Sequence, residues 1–383
     1  MRLGSERLLD SPRLRGLRVG VVANPASLDR HFHHVTERLG SSNEFTLTAI
    51  FGPQHGYRSD LQDNMIESAH DADPRRNVPI FSLYSETREP TDEMLSLVDV
   101  LVVDLQDVGA RIYTFVYTMA NCMRAAARAG KPVIICDRPN PIGAAKVEGP
   151  TLEPGYESFV GQFAIPMRHG MTIGELARYF NQWIGCELEV VAMEGYTRET
   201  WWDATGLPWI MPSPNVPTLD TAIVYPGTVL VEGTMLSEGR GTTRPFELVG
   251  APWADGELFA GRMNRVGLPG VHFRGVHFEP TFQKHAKKTC GGCQIHVIDR
   301  QQFRPVAVGV SLIREFYATA PDLFAWRDPP YEYEYEKMPV DILAGSPALR
   351  SQVEQQVPLE EIEASWRAGV EQFEDARRPY LLY

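Results

Sequence analysis

The chain has 383 residues, 43% of them hydrophobic and 22% charged, with a formal net charge of −12. That length suggests about two domains, with enough apolar material for a sizeable core. The acidic balance argues against a nucleic-acid partner, and an anionic small molecule would have to be met by local arginines.

The first residues, MRLGSERLLDSPRLRGLRVGVVANP, are basic but carry no continuous apolar run before the first strand-like stretch, so no signal peptide is expected. No segment approaches about 18 uninterrupted apolar residues, which leaves no candidate membrane span. Five cysteines, an odd and sparse set, fit a reducing compartment. A cytoplasmic protein is expected.

Five short apolar runs follow: LRVGVVA (17–23), FTLTAIFG (45–52), VPIFSLY (78–84), VDVLVVD (98–104) and KPVIICD (131–137). Each is continuous rather than alternating, as for strands buried on both faces. Helical patterns lie between them at about 29–40, 91–97 and 112–130, the last stopped by Gly130. This rhythm predicts an α/β chain with a Rossmann-like, mostly parallel sheet. The turn after the first strand reads ANPASLD, without GxGxxG, and there is no Walker A, so no nucleotide cofactor is implied. The Pro- and Gly-rich stretch 137–155 reads as a crossover between domains. The expected division is a Rossmann-like domain over 1–148 and a smaller α+β domain over 149–383.

Beyond it, a helix is expected from Thr172 to about Trp183, a strand at ELEVVAM, and then a long Pro-rich loop. Strands follow at VHFRGVHFEPTF and QIHVID, and helices near 305–319 and 358–373. YEYEYEK (331–337) alternates aromatic and acid, the pattern of a half-exposed strand or loop. Cys290 and Cys293 form CGGC. A strand rather than a helix follows it, so two reduced thiols in a turn are preferred over a redox or zinc site. His285 and His296 are the nearest further ligand types, and no metal site is expected.

Ligands of open α/β sheets bind beyond the carboxyl ends of the strands. Asn24 follows the first strand, and Gln54, His55 and Arg58 follow the second. Asp104, Asp107 and Arg111 follow the fourth, and Asp137, Arg138 and Asn140 the fifth. Asn24, His55, Asp104 and Asp137 are thus expected in one cleft. His169, ahead of the helix cap Thr172, and Asn215 in a proline-braced loop belong to the other half. So does LVEGTMLSEGRGTTRPFELVGAPW (230–253), where Glu232, Glu238, Arg240 and Arg244 stand among glycines that permit close backbone approach.

VVDLQDVGARIYTFVYTM, DRPNPIG…VEGP, PMRHGMTIGELARYFN, GLPWIMPSPNVPTLDTAIVYPGT and EGTMLSEGRGTTRPFELVGAPW resemble the exo-β-N-acetylmuramidase family, from about Val19 onward and more thinly after residue 260. The resemblance implies a Rossmann-like domain with a smaller C-terminal one, and release of terminal N-acetylmuramic acid from the non-reducing end of peptidoglycan fragments. It also implies a glutamate where this chain has Gln54, a leading candidate for the family's catalytic acid. Asp60, Asp63 and Glu67 lie close enough in sequence to compensate. The absent signal peptide sets the chain apart from secreted members and fits intracellular recycling of wall fragments.

N-acetylmuramic acid carries a lactyl carboxylate, so its site needs cations for that anion and carboxyl groups for the chemistry. Glycosidases place two carboxyl groups about the scissile bond. Glu232 and Glu238 are expected on one side, with Asp104 and Asp107 opposing them. Arg240 and Arg111 are expected to grip the lactyl group, since guanidinium matches carboxylate in a fork. His55 and His169 would bind hydroxyls or assist proton transfer. A hexosaminidase for another amino sugar, or a sugar-binding pseudoenzyme created by Gln54, are the rival readings. The partner is a small muramic-acid glycoside or muropeptide, with no nucleic acid, membrane or cofactor.

Overall fold

The computed structural model describes residues 1–63 and 66–383. Among these the strands, in chain order, are β1 Arg18–Ala23, β2 Thr46–Gly52, β3 Asp71–Asp73, β4 Val78–Ser82, β5 Val100–Asp104, β6 Val133–Cys136, β7 Glu148–Thr151, β8 Pro166–Arg168, β9 Leu188–Val191, β10 Leu248–Ala251, β11 Val271–Phe278 and β12 Cys290–Val297. The helices are α1 Gly4–Leu9, α2 Val35–Gly40, α3 Asp92–Ser96, α4 Phe115–Ala129, α5 Ile173–Ile184, α6 Leu219–Thr228, α7 Gly256–Val266, α8 Pro305–Thr319, α9 Pro339–Ala344, α10 Ala348–Glu354 and α11 Leu359–Arg377.

Seven described strands form one sheet in the order β3-β4-β2-β1-β5-β6-β9. Neighbours from β4 to β9 pair in parallel, and β3 is antiparallel at the edge. Every residue of β5 and β6 is buried, which is why their sequences run apolar without alternation. The α/β, Rossmann-like expectation is met. A three-stranded antiparallel sheet β10-β12-β11 and the β7-β8 pair complete the described topology. One apolar cluster runs from Val22 on β1 to Phe373 on α11.

The large sheet continues past residue 148, where the sequence placed a domain boundary. The stretch 137–144 is buried, and the chain returns through α5 to add β9. Asp137, at the end of β6, accepts hydrogen bonds from the Thr172 hydroxyl (2.8 Å) and Gly174 N (2.7 Å). Thr172 caps α5 as expected and forms a capping box with Glu175, an arrangement typically worth about 1 kcal/mol.

The expected helix 29–40 shrinks to α2. The Asp29 carboxylate accepts from the backbone of His31 and His33, and Phe32 is left-handed at φ 63°, so a side-chain-braced turn wins over helix. The stretch read as a long Pro-rich loop ends in α6, capped by Thr218. CGGC is a correction too: it lies within β12 rather than in a turn. A Cβ on Gly292 would stand 2.0 Å from the Val249 carbonyl oxygen, so the glycines let two strands meet. His285 donates toward Met235 O and His296 lies on β12 itself. Burial pushes the Cys290 thiol up to about 11 and raises Cys293 further. Both thiols should therefore resist iodoacetamide at pH 8 in the native protein and react fully in denaturant, as counted by mass spectrometry; modification of the folded chain would argue for a reactive pair.

Candidate active site

β1 is flanked by β2 on one side and β5 on the other, and the strand order reverses between β1 and β5. A crevice opens at such a point beyond the carboxyl ends of the strands. The loop after β2 brings Gln54 and His55 to it, and the loop after β5 brings Ile112 to Phe115. Asn215, Tyr225, Glu232, Arg240, Phe246, Tyr331 and Glu332 close the pocket from the second half of the chain. The enclosed space is about 40 Å³, room for a few waters. A pyranose ring bound there has to displace a wall.

Glu232 stands on a 3₁₀ turn, Val229–Gly233, directly after α6. Its carboxylate accepts from Arg240 Nη2 (2.7 Å) and the Tyr331 hydroxyl (2.8 Å). Arg240 lies 3.7 Å through Nε from Glu238, a contact too long for a hydrogen bond, and its guanidinium sits over the Phe246 ring. Burial opposes the Arg240 charge, and the carboxylates of Glu232 and Glu238 outweigh it and raise its pKa. Glu238 meets Lys284 at 2.6 Å. A Cβ on Gly241, at φ 80°, would strike the Phe282 backbone. Glycine is thus what lets the 280s loop deliver Lys284 to this segment.

Glu332, next to Tyr331 in the chain, is also buried in the pocket. It accepts from the Tyr84 hydroxyl at 3.0 Å, and the Gln54 side chain gives it a further hydrogen bond. Thr114 donates to Gln54 Oε1 at 2.7 Å, which turns the Gln54 amide toward Glu332. Burial raises the Glu332 carboxyl to about 7; the nearby Glu232 adds to that, while Tyr84, Arg240 and Gln54 oppose it. His55 has φ 70° and gives its Nδ1 proton to Leu61 O at 2.6 Å, leaving Nε2 as an acceptor. Burial pushes its pKa down to about 4, so the ring is neutral. Asn215 donates to Gln62 O (2.8 Å) and its Oδ1 has no partner among the described residues.

An acid with a raised pKa, a carboxylate clamped by guanidinium, a neutral imidazole and aromatic walls in one pocket suit acid-assisted cleavage of a polar, ring-shaped substrate. The models of the exo-beta-N-acetylmuramidase NamZ N-terminal and C-terminal regions match residues 19–220 and 223–383. The chain belongs to the exo-β-N-acetylmuramidase family. It is 44% identical over 374 residues to the peptidoglycan beta-N-acetylmuramidase NamZ of Bacillus subtilis strain 168, covering 97% of this chain and 88% of that protein. Two crystal structures of DUF1343 family proteins from Bacteroides fragilis superpose with TM-scores of 0.90 and 0.77, at 35% and 29% identity. Each comparison covers 100% of this chain and 98% of the other.

The pocket of this muramidase-family chain gathers Gln54, His55, Asn215, Glu232 and Arg240 from the sequence-based candidates. Several others sit at the same sheet edge but brace its loops, and these are corrections. Asp104 pairs with buried Arg138 at 3.0 Å. Asp107 lies 3.1 Å from His169 Nε2, and His169 is fully buried. Asp104 and Asp107 therefore do not form the opposing carboxylate pair. Asn24 donates to Pro212 O at 2.7 Å and so supports the loop that carries Asn215. Asp137 and Asn140 are engaged with the start of α5 and with Met171 O; the expected convergence of Asn24, His55, Asp104 and Asp137 reaches the pocket only through His55. Arg111 is not available to grip an anion: it donates to the carbonyls of Pro150, Ile165 and Leu343, and burial drops its pKa to about 10. Arg58 forms an exposed pair with Asp71, and Arg244 pairs with Glu247 rather than with the pocket acids. Glu238 lies behind Arg240 instead of lining the pocket.

None of the three acids expected to replace the family glutamate lines the enclosed pocket. Asp60 is exposed, Asp63 is held by Gln283, and Glu67 pairs with Arg88 on the outside. Glu332 is the pocket's further acid and was missed, because YEYEYEK alternates like a surface strand. Its signal was the preceding Pro329-Pro330, which favours a turn over a strand. The turn has Glu332 and Tyr333 at φ 45° and 69° and directs Tyr331 and Glu332 inward.

Proposed function

We propose that this protein is an exo-acting β-N-acetylmuramidase that frees N-acetylmuramic acid from the non-reducing end of peptidoglycan fragments during cell-wall recycling in the cytoplasm. One observation carries the reading: two carboxyl groups share the enclosed pocket in opposite surroundings. Glu332 has no ion-pair partner at contact distance among the described residues and a pKa raised by burial. Glu232 is clamped by Arg240. In this reading Glu332 donates a proton to the glycosidic oxygen, and Glu232 supports the anomeric centre or the water that attacks it. Gln54 keeps the family position but serves by hydrogen-bonding Glu332. Five unpaired, buried cysteines support a reducing compartment. The presence of Glu332 favours catalysis over a binding-only pseudoenzyme.

Arg240 gives Nη2 to Glu232 and lines the pocket itself, which brings its guanidinium within reach of the lactyl carboxylate. The test is hydrolysis of a chromogenic β-N-acetylmuramide beside the matching N-acetylglucosaminide. The wild type should prefer the muramide. Arg240→Lys keeps a cation among the carboxylates and removes the fork. It should weaken the muramide by roughly ten- to a hundred-fold and the glucosaminide much less. Equal losses would make Arg240 a support for Glu232 alone, and wild-type preference for the glucosaminide would overturn the sugar assignment.

A further inference from the structure

The turn that carries Glu332 has a second side. Tyr331 and Glu334 exchange two backbone hydrogen bonds, each 2.9 Å, and this tight turn borders both the pocket and an open groove of about 540 Å³. Glu332 lines both spaces. The groove size falls within the range of small-molecule sites, roughly 300–1,000 Å³. Phe159 and Tyr333 line it, with Tyr84 buried beneath them. Arg88 lies over Tyr84 at 4.2 Å, over Tyr333 at 4.6 Å and over Phe159 at 5.8 Å. Tyr84 and Phe159 are in turn 5.4 Å apart, so the cation locks the rings into one platform. Tyr333 is 38% exposed and offers part of its ring to the groove. The rim is acidic: Glu67, Glu86 and Glu157 line it, and Arg88 is the one basic lining residue among the described residues.

We propose that this groove receives the leaving sugar, an uncharged N-acetylhexosamine stacked on Tyr333 and Phe159 with its glycosidic oxygen turned to Glu332. The inference rests on the muramidase reading above. A general acid must stand on the leaving-group side of the scissile bond, and the groove is the open space on the far side of Glu332 from the pocket. As the bond from the anomeric carbon to the leaving oxygen breaks, its electron pair stays on that oxygen. The oxygen takes the Glu332 proton, and the sugar departs as a neutral alcohol. Water supplies the hydroxyl that ends on the anomeric carbon and the proton that restores the acid. Aromatic rings suit the apolar face of a pyranose. The carboxylate rim disfavours a leaving unit that bears its own anion, such as a second muramic acid or a free stem-peptide carboxylate.

Two substrates separate this idea from the reading beneath it: the N-acetylmuramyl-β-1,4-N-acetylglucosamine disaccharide and β-N-acetylmuramyl fluoride, whose leaving group fills no groove. For Tyr333→Ala, kcat/KM on the disaccharide should fall roughly tenfold further than on the fluoride, mainly through KM. Tyr333→Phe, which keeps the ring, should restore the wild-type ratio. Glu157→Gln should improve a disaccharide whose leaving sugar carries a carboxylate relative to the neutral one. Equal losses on disaccharide and fluoride would place the muramyl ring in the groove and overturn the proposal, as would no loss on either substrate. Failure of the wild type on both substrates would instead overturn the muramidase reading.

Discussion

Glu332→Gln should lower kcat on the disaccharide by about 10²–10⁴-fold, the usual contribution of a general acid, while the affinity for N-acetylmuramic acid stays within a few-fold. The fluoride should lose far less, because fluoride leaves with little help from a proton. The pH profile carries a second signature. The Glu332 carboxyl is raised by burial to about 7, and an acid catalyst works only while protonated. Wild-type kcat/KM should therefore fall as pH rises through about 7, and the variant should lose that limb. Gln54→Glu would replace the amide donor beside Glu332 with another acid, which should move the limb upward. The stability linkage has the same sign. A folded-state pKa raised above the unfolded one stabilises fully below the ordinary carboxyl range and is lost as pH climbs through 7. Glu332→Gln should thus gain stability over wild type above that pH. A loss in rate that is equal for all leaving groups, with the limb intact, would make Glu332 a positioning residue.

Lys284→Met should cost about 3–5 kcal/mol of stability, the usual result of stripping the partner from a buried charge. Lys284 meets Glu238 at 2.6 Å and donates to Val231 O and Thr234 O at 3.1 and 2.9 Å. Burial pushes the Glu238 carboxyl up, but Lys284 first and Arg240 second outweigh it, so the pKa is lowered. That stabilisation is present above the ordinary carboxyl range and is lost as pH falls. In the variant Glu238 faces only Arg240, at 3.7 Å. A drop in Tm of roughly 4–6 °C should follow, and the Lys284→Met, Glu238→Leu double variant should recover most of it. Denaturant titrations measure both. A single-variant loss below about 1 kcal/mol would mean that the pair is hydrated and weak.

The two halves of the problem differed in how much the sequence disclosed. Strands β1, β2, β5 and β6 were legible because burial on both faces forces mostly apolar, non-alternating runs. Their order also placed polar residues on the correct edge of the sheet. What lay beyond reach was the partner of each side chain. Asp104, Arg138, Asp107 and His169 are chemically equipped for catalysis, yet they pair with one another, and no local pattern announces that. The acids of 230–253 were legible as a group, but Lys284, needed to separate Glu238 from Glu232 in role, arrives from the 280s loop. Glu332 hid in an alternating run because its inward direction comes from left-handed backbone at two residues, not from periodicity.

The pocket's walls come from positions as distant as Gln54, Asn215 and Glu332, so no single stretch of chain can assemble it. Its two acids are separated by the β10–β12 sheet and by α7 and α8 in sequence. During refolding, the parallel sheet can regain its circular dichroism while Glu332 is still unplaced. Recovered hydrolysis would therefore report completion of the whole molecule, and a lag between the two signals would time the docking of the late chain onto the early one.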